Sequence, residues 1–81
     1  MRIVIIGAGN AGRQLAQRLC AERHSVVMVD ADPQALAQAE AGLDLLTICG
    51  KGTNPVVLEE AQVDKSDLLI AVTDSDEANI L

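Results

Sequence analysis

Eighty-one residues are enough for one compact unit, and an apolar fraction of 49% marks the chain as globular rather than disordered. A net charge of −6, six scattered basic residues and no Phe, Tyr or Trp argue against nucleic acid as a ligand, because phosphate backbones need clustered cations and unstacked bases need aromatic platforms. No apolar run approaches the roughly 18 to 20 residues that cross a bilayer, and Met1-Arg2 leads into a strand rather than a signal peptide. Any membrane link is therefore expected to run through a partner.

The first apolar run, Ile3-Val4-Ile5-Ile6, reads as a strand and is followed at once by Gly7-Ala8-Gly9-Asn10-Ala11-Gly12. Each glycine of this G-x-G-x-x-G turn has its own task in a dinucleotide fingerprint. Gly7 allows a sharp turn out of the strand, Gly9 leaves room for backbone to approach a pyrophosphate, and Gly12 lets the next helix pack closely. The free N–H groups at the helix start, around Ala11 and Gly12, would face the phosphates, with the helix dipole adding partial positive charge. The same glycines would also serve a turn that needs only tight packing. The helix is expected over about residues 11–22, with Ala11, Leu15, Ala16, Leu19 and Cys20 on the covered stripe. Arg13 is a candidate for a terminal phosphate of ATP or, alternatively, a solvated helix arginine. His24, the sole histidine, reads as a loop residue.

Val26-Val27-Met28-Val29 forms a second strand, closed by Asp30. An acid about 20 residues past the glycine turn can accept hydrogen bonds from both hydroxyls of an adenosine ribose and would repel a 2′-phosphate. NAD, NADH, ATP or ADP is therefore expected over NADP, with Lys51 the one nearby reservation. A solvated turn residue or part of the next helix cap is the competing role for Asp30. Asp32-Pro33 starts a second helix with a cap and an N1 proline, Gly42 ends it, and Leu36 is its only large apolar anchor.

Leu45 to Ile48 reads as a third strand, Thr53-Asn54-Pro55 as the start of a short helix through Val57, Leu58 and Ala61, and Leu68 to Val72 as a fourth strand. Asp64 and Asp67 around Lys65 read as a polar turn before it. Thr73-Asp74-Ser75-Asp76-Glu77 has the form of a helix N-terminus; Asp74, Asp76 and Glu77 as a cation site is the weaker alternative. Near-continuous apolar strands alternating with helices predict a parallel sheet, β-α-β-α-β-α-β. The fold class is thus α/β, a Rossmann-like doubly wound sheet taken only as far as strand 4 and the start of the next helix, with residues 1–81 as the amino-terminal part of one nucleotide-binding domain. Strand 4 would then lie on an open edge, which points to a segment of a longer sheet or a partner that completes it. Cys20 and Cys49 have neither C-x-x-C nor metal-ligand spacing and are expected to be reduced and buried, with a redox-sensing role for Cys49 as the minor alternative. No metal site and no catalytic acid or base is indicated.

Taken together, Val4 to Gly12, Val29-Asp30-Ala31-Asp32, Gly50-Lys51-Gly52-Thr53 and Ala71-Val72-Thr73-Asp74-Ser75-Asp76-Glu77-Ala78-Asn79 resemble the amino-terminal nucleotide-binding domain of the TrkA family. These domains are also called RCK or KTN domains. The resemblance implies a cytoplasmic, non-enzymatic regulator of a potassium uptake system or channel that binds NAD(H) or ATP/ADP. It implies docking on a membrane potassium-translocating subunit and assembly as a homo-oligomer. Carried onto this chain, Gly7, Gly9, Asn10, Ala11 and Gly12 would hold phosphates and Asp30 the ribose. Gly52 and Thr53 would lie near the adenine, and Thr73 and Asp74 towards the phosphates or the distal part of NAD. Lys51 departs from the acidic or polar residue common at its position. Two other readings share the glycine turn: an NAD-binding fragment of a dehydrogenase, and a flavoprotein through the G-x-G-x-x-G-x-x-x-Ala form ending at Ala16.

Overall fold

A computed structural model describes residues 1–72 of the chain, in the order β1 (Arg2–Ile6), α1 (Asn10–Ala21), β2 (Ser25–Asp30), α2 (Pro33–Glu40), β3 (Leu46–Cys49), α3 (Pro55–Glu60) and β4 (Leu68–Ala71). A single 3-10 turn, Val63–Lys65, precedes β4. Thr73 and Asp74, the helix expected to start there and the alternative cation site lie outside the described residues.

The four strands form one sheet in the order β3-β2-β1-β4, all neighbours parallel. The chain moves outward from β1 to β3 and then returns across the sheet to place β4 on the other side of β1. Alternation along the strands sorts the core into two layers. Ile3, Ile5, Val26 and Met28 pack with Ala16 of α1 and with Leu36 and Ala39 of α2. On the opposite face Val4, Val27 and Val29 meet Val57 and Ala61 around α3. Both faces of β1 and β2 are therefore buried, which is why these strands read as unbroken apolar runs.

Local chemistry sets the helix ends. Asp32 Oδ1 accepts the Gln34 N–H at 3.0 Å and Asn54 Oδ1 accepts the Val56 N–H at 2.9 Å, each followed by proline in the first turn. Gly42, at φ +75, takes the left-handed conformation just past α2. Asp67 ties the return to β4 by accepting the Arg2 N–H at 2.7 Å, while its own N–H donates to the Arg2 carbonyl at 2.8 Å.

Three expectations need correction. Ala11 is exposed rather than part of the covered stripe, because the first turn of α1 presents Gly12, not Ala11, to the sheet. Cys49 is exposed at the carboxyl end of an edge strand rather than buried, whereas Cys20 is half-buried and packs against the core from the covered stripe of α1. The outer strands are covered less than their apolar sequences suggest, with Leu46 on β3 and Leu68 and Leu69 on β4 exposed. Both are sheet edges among the described residues, with a neighbour on one side only.

Candidate functional site

The crossover from β1 to β2 leads one way and the return to β4 the other, so the sheet has its topological switch point between β1 and β4. Open α/β sheets bind ligands in the crevice outside the carboxyl ends of the strands at that point. A cleft of about 370 Å³ lies there, within the roughly 300–1,000 Å³ range of small-molecule pockets. Ile6 and Gly7 end β1 on one side of it, and Ala71 and Val72 end β4 beside them. Val29, Asp30 and Ala31 form the β2 wall, and the segment Lys51-Gly52-Thr53 closes the cleft from β3.

Gly7 has φ +119, a conformation that side chains disfavour, and a Cβ there would overlap the Val72 carbonyl. The turn out of β1 therefore needs glycine for its backbone and for the close pass of the chain leaving β4. Gly12 is buried, and a Cβ on it would overlap the Gly7 carbonyl oxygen. This glycine sets α1 directly against the turn. Gly9 is the N-cap of α1, with no side-chain cap, and no acid occupies the first turn of that helix. The positive end of the α1 dipole is thus left without a neutralising carboxylate on its own helix.

Asp30 is the polar centre of the cleft. Its Oδ2 accepts the Ala8 N–H at 2.8 Å, and its Oδ1 accepts the Asp32 N–H at 2.9 Å. The carboxylate therefore ties the glycine turn to the end of β2 while facing the cleft. Each oxygen keeps a second lone pair for a ligand hydroxyl.

Of the residues expected at the site, the structure brings Gly7, Asp30, Gly52 and Thr53 to the cleft. Asn10 and Ala11 are exposed at the start of α1, just after the glycine turn, and are not among the residues that line the cleft. The Asn10 side-chain oxygen accepts from Arg13, which also donates to Gln38 Oε1 on α2 at 3.0 Å. That pairing favours a brace between the two helices over a solvated arginine. Sequence reasoning missed the apolar lining from Ile6, Val29, Ala71 and Val72, although all four end predicted strands.

A larger hollow of about 790 Å³ opens at the other end of the sheet, between the end of α1 and residues 42–46. It faces the amino ends of the strands, away from the switch point, and its lining includes neither the G-x-G-x-x-G turn nor the first turn of a helix. Its titratable lining includes Cys20, whose thiol is pushed up by burial and then by the Asp44 carboxylate. Among the described residues, no group of His, Cys, Asp and Glu is arranged to hold a metal ion, and no helix is long and apolar enough to cross a membrane.

Comparison with known proteins places relatives on this geometry. The family model described as the TrkA-N domain matches residues 3–81. The Trk system potassium uptake protein TrkA of Halomonas elongata is 41% identical over 81 residues, which is all of this chain and 18% of the relative. The TrkA homologue of Methanothermobacter thermautotrophicus is also 41% identical over 81 residues, again all of this chain and 38% of the relative. This chain thus spans well under half the length of either. Among solved structures, the Kef CTD of Shewanella denitrificans in its AMP-bound form superposes with a TM-score of 0.73 at 23% identity, covering 96% of this chain and 46% of that one. That likeness establishes a shared fold.

Proposed function

The chain belongs to the TrkA-N domain family, and from that premise we propose that it is the nucleotide-binding part of a regulator of potassium transport. Its ligand in this reading is NAD(H) or ATP/ADP, held at the switch-point cleft. The observation that carries the proposal is the Asp30 carboxylate, which lies against the glycine turn and lines the same cleft as Gly7, Gly52 and Thr53. In this arrangement Asp30 would take the ribose hydroxyls, and the backbone around Gly7, Gly9, Asn10, Ala11 and Gly12 would take phosphate. The base would lie beside Ala31, Gly52 and Thr53, with Thr73 and Asp74 on the phosphate side or towards the distal part of NAD. The Kef structure of the same fold carries AMP, which supports an adenylate in a sheet of this kind.

The names of the relatives support a role in a potassium uptake system; in this reading the chain would act from the cytoplasm, as part of a homo-oligomer, beside a membrane potassium-translocating subunit or pore domain. Residues 1–81 would then be the amino-terminal part of a single domain. Binding alone gates nothing: an exchange of nucleotides shifts a conformational equilibrium only by the difference in their affinities for the two states. The chain's contribution is to make that difference depend on the ligand it holds.

Isothermal titration of the intact protein tests the reading. NADH and ATP are expected to compete for one site, and Asp30→Ala is expected to weaken both. Steady substrate-dependent turnover of NAD would instead support a dehydrogenase, and binding indifferent to Asp30 would remove the site.

A further inference from the structure

The hollow of about 790 Å³ at the amino ends of the strands shares no lining residue with the switch-point cleft. Its floor is aliphatic. Val26 is buried in β2, and Leu43 and Leu45 pack against the same core from the segment that joins α2 to β3. On that lining, Arg23 stands where the backbone favours glycine. α1 ends in a Schellman turn, in which the Arg23 N–H donates to the Cys20 carbonyl at 3.0 Å and the His24 N–H to the Leu19 carbonyl at 3.1 Å. The turn holds Arg23 at φ +66, the left-handed position that glycine usually fills. An exposed arginine is thus kept at the hollow against a backbone preference, and its guanidinium brings donors and no acceptor.

The opposite charge comes from the α2–β3 segment. Asp44 lines the same hollow, and it lies beside Cys20: the thiol donates to the Asp44 carbonyl at 3.8 Å, and burial and then the Asp44 carboxylate push that thiol up. Arg23 and Asp44 do not neutralise each other. Among the described residues the ion pair found joins His24 and Glu22 at 3.6 Å. α1 ends at Ala21 on the same lining, so the negative end of its dipole adds to the attraction for a cation. Separated charges of both signs over an aliphatic floor match a dipolar ion better than a simple anion or a simple cation.

We infer that this hollow is a second binding site, for a zwitterionic aliphatic ligand of the amino-acid class, supplied as a free amino acid or a short peptide. The Arg23 guanidinium and the Ser25 hydroxyl take its carboxylate. Asp44 and the end of α1 take its ammonium, and Val26, Leu43 and Leu45 cover its aliphatic side chain. The site lies at the far end of the sheet from the nucleotide cleft and does not rest on the nucleotide reading.

Isothermal titration of the intact protein with L-leucine and with leucyl-leucine tests the inference, and the tighter of the two identifies the source. Isocaproate, which lacks the ammonium, and isoamylamine, which lacks the carboxylate, are each expected to bind roughly tenfold more weakly than that zwitterion, the size of one charge-assisted hydrogen bond. Arg23→Gly relieves the left-handed backbone, so it is expected to melt no lower than wild type by circular dichroism while binding the zwitterion about tenfold more weakly. Asp44→Asn is expected to show a loss of similar size. No saturable heat from either zwitterion at millimolar concentration overturns the inference. So do single-charge analogues that bind as tightly as the zwitterion, or an affinity that neither substitution changes.

Discussion

Gly12→Ala is the sharpest probe of how the glycine turn is built. A Cβ at this position would overlap the Gly7 carbonyl oxygen and stand 3.0 Å from the Gly7 carbonyl carbon, with Met28 Cε at 3.6 Å. The two closest atoms belong to backbone, so no rotamer change relieves them, and α1 must slide away from the end of β1. Overpacking of this kind costs about 1–3 kcal/mol, and the absence of a movable side chain favours the upper half of that range. Alanine recovers less than ~1 kcal/mol through helix propensity, because Gly12 is only the third residue of α1. The net loss is about 2 kcal/mol, against a total stability of roughly 4–12 kcal/mol for a unit of this size. At about 4–8 °C per kcal/mol the melting temperature followed by circular dichroism should fall by about 8–16 °C. Gly42→Ala separates space from backbone: nothing lies within 4 Å of its Cβ, and only its φ of +75 opposes a side chain. About 1 kcal/mol, or roughly 4–8 °C, is expected there. A Gly12→Ala protein that melts with or above wild type would refute the close approach of α1 to the turn.

The remaining predictions concern single groups. Asp30→Ala should weaken adenylate binding about tenfold to a hundredfold by calorimetry, since a charge-assisted hydrogen bond contributes ~1.5–3 kcal/mol; Asp30→Asn, which keeps one oxygen for the Ala8 N–H, should melt closer to wild type than the alanine variant. Asn54→Ala removes the cap on the Val56 N–H and should cost about 1 kcal/mol in a urea titration, with Asn54→Gly costing less. Iodoacetamide at pH 8 should label exposed Cys49 first. Cys20 should lag because burial and Asp44 raise its pKa, which lowers the thiolate fraction, and its rate should climb as pH rises further; equal rates in Cys20→Ser and Cys49→Ser proteins would contradict that order.

Much of the architecture is visible in the chain because its signals are local and mutually consistent. Ile3 to Ile5 and Val26 to Val29 are buried on both faces, so burial and sequence agree. Asp32-Pro33 and Asn54-Pro55 are helix starts whose caps form with the residue two positions on. What escaped depends on contacts distant in sequence. That Asp30 would hold Ala8, 22 positions away, follows from parallel pairing that sets Ile6 beside Val29, not from any short motif. The pinning of Gly52 on Ile6 and of Gly50 on Val57 is likewise a matter of how the β3–α3 loop folds back. Cys49 misled because a small apolar residue after an apolar run looks buried, whereas β3 is an edge strand among the described residues and its last residue is exposed, its thiol against the Ala31 carbonyl. Arg13 was ambiguous since its partner Gln38 lies on the next helix.

The central claim is that an adenine nucleotide binds where β1, β2 and β4 end. Backbone amide shifts recorded during an AMP titration of isotope-labelled protein test it most directly. The account predicts saturable shifts at Gly7, Ala8, Asp30, Ala31 and Gly52, with the amides of Arg23, His24 and Leu43 at the opposite end of the sheet unmoved. Shifts confined to that opposite end, or a spectrum unchanged at millimolar AMP, would contradict it.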